Sequence, residues 1–228
     1  MSKHNRLYER YFSSKAFPFF NMLFILIIGN ILFVTLNFFT LIVFTLFPSS
    51  IALLIIIRSA REDTDFPLFK AFFKIFTKEY LKSQLLFLCF LGIGLFLGLG
   101  VYILQFAPNS ILFILSKWFI YLLIFISALA IIHTIPIYVY FPHLTIRGIV
   151  KYSYLLGIGL LFQSIGLLLL YGLSISILII FPAFGTLIGF LILFSLLTYL
   201  TIKMLENKYL SLDHDTNPLT ITHYLPEY

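Results

Sequence analysis

Long uninterrupted apolar runs, separated by short clusters of lysine and arginine, organise this chain. The runs are Phe19 to Ile57, Leu85 to Phe106, Trp118 to Tyr140, Leu155 to Phe181 and Phe184 to Ile202. Each covers the about 20 residues that a helix needs to cross a hydrocarbon layer. The first run, as one helix, would extend ~58 Å, almost twice a core of ~30 Å. The last two adjoin across only Pro182 and Ala183 and would together reach ~72 Å, so both stretches must fold back. The pattern predicts an all-α integral membrane protein, a bundle of about six membrane segments. Composition agrees, with 61% hydrophobic residues, 11% charged residues and a mean hydropathy of +1.06.

Charge sets the topology. If the first run crosses twice, fourteen of the fifteen Lys and Arg residues fall on one side and only Lys117 on the other. A single crossing splits them five against ten. Because cytoplasmic loops carry the excess of Lys and Arg, six segments with both termini in the cytoplasm are expected. Two places for the first turn fit: Asn37 to Thr40, with a second pass kinked at Pro48, or Pro48-Ser49-Ser50, with Ile51 to Ile57 returning as a short or re-entrant helix. The expected organisation is a cytoplasmic tail at 1–18, a helical membrane domain at 19–212 and a flexible cytoplasmic tail at 213–228. No cleavable signal peptide is evident.

Outside the runs the most patterned segment is 66–82. On a helix Lys70, Lys74, Lys78 and Lys82 share one arc, and Phe69, Phe72, Phe73, Phe76 and Tyr80 share the opposing one. Asp63, Thr64 and Asp65 precede Pro67, a residue suited to a first helical turn. A cytoplasmic interfacial helix is expected, with rings in the acyl boundary and ammonium groups among anionic headgroups. The eight residues Lys70, Lys74, Lys78, Lys82, Phe69, Phe72, Phe73 and Phe76 are the candidate surface for membrane lipids or a partner. Topology accounts for the formal charge of +6, and no nucleic-acid motif accompanies it.

Thr45-Leu-Phe-Pro48-Ser-Ser-Ile-Ala52-Leu53, then Arg58, Arg61-Glu62-Asp63 and Phe69-Lys-Ala-Phe72-Phe73-Lys74 make up a pattern that resembles the YesL family of bacterial membrane proteins, a domain of unknown function. The motifs cover about residues 20 to 85. The chain departs at Phe47, where the family usually carries glycine, which removes the basis for a tight turn there. The resemblance implies a polytopic plasma-membrane protein whose relatives are commonly encoded beside carbohydrate ABC importers and polysaccharide-degrading enzymes. It implies no catalytic residues.

Between Glu79 and Glu206 lie 126 residues without an Asp or Glu. Ion coupling in transporters usually relies on intramembrane carboxylates, and acid-base dyads, triads and hard-cation sites also need them. Carboxylate-coupled transport and catalysis are therefore not expected. No glycine-rich phosphate loop is present, His4, His143, His214 and His223 show no metal-ligand spacing, and no cofactor is expected. The polar residues within the runs, Asn30, Asn37, His133 and Gln163, form the candidate intramembrane site, with His133 read as neutral and bonded to Asn30 or Gln163 on another helix. Cys89 reads as a small core residue. Gly94 with Gly98, and Gly185 with Gly189, have the spacing for close helix packing, within the chain or in a homodimer. Trp118, Tyr138, Tyr140, Tyr152 and Tyr154 fit interfacial belts. The expected function is a non-catalytic accessory or scaffold component associated with carbohydrate uptake, its partner an ABC importer or other membrane protein. A small-molecule or lipid transporter without carboxylate-based ion coupling is the alternative.

Overall fold

A computed structural model describes residues 16–40, 42–62, 66–108, 110–212 and 218–226, and these are helical almost throughout. In hydrocarbon a helix satisfies its own backbone polar groups, so Leu-, Ile- and Phe-rich runs of this length have little alternative. The elements are α1 (Ala16–Phe39), α2 (Ile42–Arg61), α3 (Leu68–Gln105), α4 (Ile111–Tyr140), α5 (Ile146–Gly159), α6 (Leu161–Ile180) and α7 (Pro182–Ile188). A π-helical turn at Gly189–Leu193, α8 (Phe194–Leu212) and a 3₁₀ turn at Ile221–His223 complete the order. Six stretches are long and apolar enough to cross a membrane: α1, α2, α3, α4, α6 and the run from Gly185 to Leu212. This is a multi-pass, all-helical membrane protein.

The first long run turns at Thr40, so Pro48 lies inside α2. Proline has no N–H to give the carbonyl four residues back, that of Phe44. The Gln84 side-chain amide donates to that carbonyl from α3. Ser49 and Ser50 bond back to the Thr45 and Leu46 carbonyls at 2.6 Å each. A polar clasp closes the α1–α2 turn: Asn37 Nδ2 donates to Ser49 Oγ at 2.9 Å, and Thr45 Oγ1 donates to Asn37 Oδ1 at 3.0 Å. Beyond the clasp α2 is apolar on every side and becomes the core helix, with every residue from Ile51 to Ile57 at most 2% exposed.

Asn30 performs the equivalent task for the π turn, whose wider winding disturbs the regular backbone ladder. Its Nδ2 donates to the carbonyls of Gly189 and Phe190 at 2.8 and 2.7 Å, and its Oδ1 accepts from the Ser195 amide at 2.9 Å.

The segment expected to lie flat as an interfacial helix is instead the first part of α3, which starts at Leu68 and runs unbroken for 38 residues. An unbroken helix offers no hinge at which 68–82 could turn into the plane of the membrane surface. At its entry Pro67 is the N-cap and supplies no side-chain bond; Asp63, Thr64 and Asp65 lie outside the described residues.

The α1–α2 turn neighbours the middle of α3 at Gln84, and α3 continues past it for about 30 Å. Along that stretch the buried residues are Leu86, Phe90 and Leu97, and on α4 nothing before Leu129 is buried. The outer halves of α3 and α4 thus form a two-helix hairpin standing clear of the bundle, closed on itself where Gly100 meets Ile120. The fourth run also differs from expectation. It breaks at Leu160, and α5, whose start is capped by Thr145, packs along α4 through Gly157, where an added Cβ would lie 3.1 Å from the Ala130 backbone nitrogen.

Candidate functional site: an ionic and aromatic cluster at the charged end

Two glutamates flank the long carboxylate-free stretch, and the fold brings both to the same end of the bundle. Around Glu206 on α8, Arg61 of α2 approaches Oε2 at 2.6 Å and Arg58 approaches Oε1 at 3.5 Å. Tyr140, at the end of α4, donates to the same Oε1 at 3.1 Å. Arg58 is buried and also pairs with Glu62 one turn on, at 2.9 Å, while its guanidinium carbon lies 5.3 Å from the Tyr140 ring centroid. A buried guanidinium is tolerated only where carboxylates and hydrogen bonds replace its water.

Around Glu79 on α3, Tyr138 donates at 2.5 Å and Tyr224 at 2.8 Å, one to each carboxylate oxygen. Lys82 and Lys78 each lie 4.8 Å from a ring centroid, of Tyr138 and Tyr224 respectively. Burial, with the Glu79 carboxylate beside it, pushes the Tyr224 hydroxyl well above its ordinary value, so it remains a donor.

Tyr224 belongs to the chain's C-terminal segment, expected to be a flexible tail. Residues 218–226 are instead seated on the cluster; 213–217 lie outside the described residues. The Leu219 amide donates to the Val139 carbonyl at 2.9 Å, one of the acceptors left open at the end of α4. Arg58 Nη1 donates to the Leu219 carbonyl at 3.2 Å, and the Ile221 amide donates to Ser59 Oγ at 3.2 Å. Lys78 Nζ donates to the His223 carbonyl at 3.4 Å. Ile221, Tyr224 and Leu225 are each only 2% exposed. Burying three such side chains contributes about 1.5–3 kcal/mol apiece. Ordering the backbone costs about 1–2 kcal/mol per residue, which over this segment exceeds what the three side chains return, so the hydrogen bonds are needed to hold it.

The sequence-predicted residues divide differently from expectation. Of the lysine row, Lys78, exposed, and Lys82, half-buried, reach into the cluster, Lys82 also to the Pro142 carbonyl at 3.2 Å; Lys70 and Lys74 are exposed on the preceding turns. Of the aromatic arc, Phe72 is fully buried beside Ala71 and Ile75, and Phe76 is half-buried. Phe69 and Phe73 are exposed.

Asn30, Asn37 and His133 are not brought together. His133 bonds Tyr209 of α8 through Nδ1 at 2.5 Å and Ser164 of α6 through Nε2 at 2.7 Å, so its partners are neither Asn30 nor Gln163. Gln163 is half-buried on α6. Tyr138 and Tyr140, expected in an interfacial belt, are buried and bonded to the glutamates. Cys89, expected in the core, is exposed. Gly185 packs tightly on the α6 backbone at Ile177 and Leu178, whereas Gly94 and Gly98 face nothing within 4 Å. His143 and His223 are exposed, and His4 and His214 lie outside the described residues.

Sequence reasoning missed the seat of the C-terminal segment, Glu79 and Glu206 as its anchors, and the roles of Tyr138, Tyr140 and Tyr224. The available signal was positional: the two carboxylates that bound the gap sit at helix positions next to the basic clusters.

A family described as a protein of unknown function, DUF624, has a model that matches residues 20–101. The matched part takes in most of α1, all of α2 and most of α3, including Arg58, Arg61, Glu62, Lys78, Glu79 and Lys82. It ends before α4, so the tyrosines and Glu206 that complete the cluster lie beyond it. No curated protein and no solved structure matches the chain.

Proposed function

We propose that this chain is a non-catalytic accessory or scaffold protein of the bacterial plasma membrane, of the YesL type, with its charged end in the cytoplasm, and that it docks on a membrane-protein partner in carbohydrate uptake. The observation that carries this reading is the exposed face at the start of α3. Phe69 and Phe73, one turn apart, stand beside Lys70 and Lys74, one turn apart, on the part of the helix that precedes its apolar run. Exposed rings rimmed by cations fit an apolar groove edged with carboxylates. Asn30, Asn37 and His133 support the same reading, because each bonds one helix to another and they do not line a common path. The resemblance to a family encoded beside carbohydrate ABC importers gives the partner class.

The test is crosslinking from native membranes with a photo-reactive side chain at Phe69, comparing the otherwise unchanged protein with a Lys70→Gln/Lys74→Gln form. An ABC permease should be recovered in stoichiometric yield, falling at least fivefold in the double variant. Recovery of lipid alone, together with solute flux through reconstituted protein, would instead establish the transporter alternative.

A further inference from the structure

We propose that residues 218–226 are a detachable ligand of a peptide seat built by the ends of α2 and α4 and the middle of α3, so that the protein exists in a closed form filled by its own segment and an open form whose seat accepts the same segment of a second copy of this chain. This does not depend on the partner proposed above.

Three features carry the inference. The segment is held as a bound peptide is held: its main chain is read by side chains, Arg58 on the Leu219 carbonyl, Ser59 on the Ile221 amide and Lys78 on the His223 carbonyl, with one further bond to the Val139 carbonyl. It adds three anchors, Ile221, Tyr224 and Leu225, of which Tyr224 is fixed by Glu79. The seat also survives departure of its occupant. Arg58 retains Glu62 and Glu206, and Glu79 retains the Tyr138 hydroxyl. Lys78 is on the exposed side of α3, where water can replace the His223 carbonyl. Release therefore strands no buried charge, the event that normally makes such contacts permanent. The opening is local, confined to one short segment held by a handful of contacts, and segments of that kind open at least cost.

The seat is probed by Ser59→Cys in a Cys89→Ser background, labelled with a membrane-impermeant maleimide on purified protein in micelles. Ser153→Cys, buried between α4 and α5 away from the seat, reports by its continued protection that the fold is kept. Removal of 218–228 should speed labelling at position 59 at least tenfold, and added peptide of sequence 218–226 should slow it again. Within the full chain, Tyr224→Phe, which loses the Glu79 bond, should speed labelling several-fold. Should the shortened chain lose protection in the Ser153→Cys control, Tyr224→Phe and Lys78→Ala in the full chain carry the test. Equal rates with and without the segment would show that it is not seated. Complete protection of the full chain until global unfolding, unmoved by Tyr224→Phe, would show a fixed part of the fold and overturn detachment.

Discussion

Glu206 and Glu62 both pair with Arg58, yet they are not equivalent. Glu62 is largely in solvent, with 44% of its side chain exposed, and an ion pair of that kind contributes about 0–1 kcal/mol. Glu206, 17% exposed, faces Arg58, Arg61 and the Tyr140 hydroxyl together. Its loss leaves a buried guanidinium short of a partner, a situation that costs about 3–5 kcal/mol. Glu206→Gln is expected to lower the midpoint of thermal unfolding in micelles sharply, and Glu62→Gln to leave it almost unchanged; similar shifts for both would count against Glu206 as the anchor. At this scale the sequence was least informative. The carboxylate gap marks where acids are missing, but the pairing of its two ends with Tyr138, Tyr140 and Tyr224 is set by tertiary approach. A tyrosine near a helix end looks the same whether it meets lipid or a buried glutamate.

Glycine spacing raises the same difficulty at the level of helices. Gly94 and Gly98 have the i, i+4 pattern, yet an added Cβ at either meets nothing within 4 Å. Gly157 belongs to no such pair and sits against the backbone of Leu129 and Ala130 at 3.1–3.3 Å. Gly157→Ala should therefore push α5 away from α4 and destabilise by about 1–3 kcal/mol, the usual range for overpacking. Gly94→Ala should be neutral or slightly stabilising, since glycine within a helix costs about 1 kcal/mol relative to alanine. The reverse order in a comparison of unfolding midpoints would refute this packing. Helix existence was legible from the runs, and so was the need for the first run to turn back. The choice of Thr40 over Pro48 was not, because it depends on Gln84 reaching the carbonyl that the proline leaves open. Likewise the last five residues of α5 were hidden inside a continuous apolar run, whose break at Leu160 is marked only by the neighbouring Gly159.

For the molecule as a whole, the asymmetry of Lys and Arg proved the most legible feature. Arg58, Arg61, Lys78 and Lys82 gather at one end, while Lys117 on α4 lies 23 residues from Tyr140, or about 35 Å along the helix. In a Cys89→Ser background, Lys117→Cys should react with an impermeant maleimide on intact cells, and Lys70→Cys only after lysis. Reaction of both from the same side would end the assignment of the charged end to the cytoplasm. The projecting α3–α4 hairpin has a consequence for the surrounding lipid. Beyond Gln84, α3 continues for about 30 Å, close to an average hydrocarbon thickness, whereas the α1–α2 turn reaches only to the middle of α3. Lipids on the two flanks therefore meet apolar walls of unequal height. A bilayer beside the protein meets exposed rings at two separate levels, those of Phe38, Phe39 and Phe44 about the α1–α2 turn and those of Phe96 and Phe106 on the hairpin.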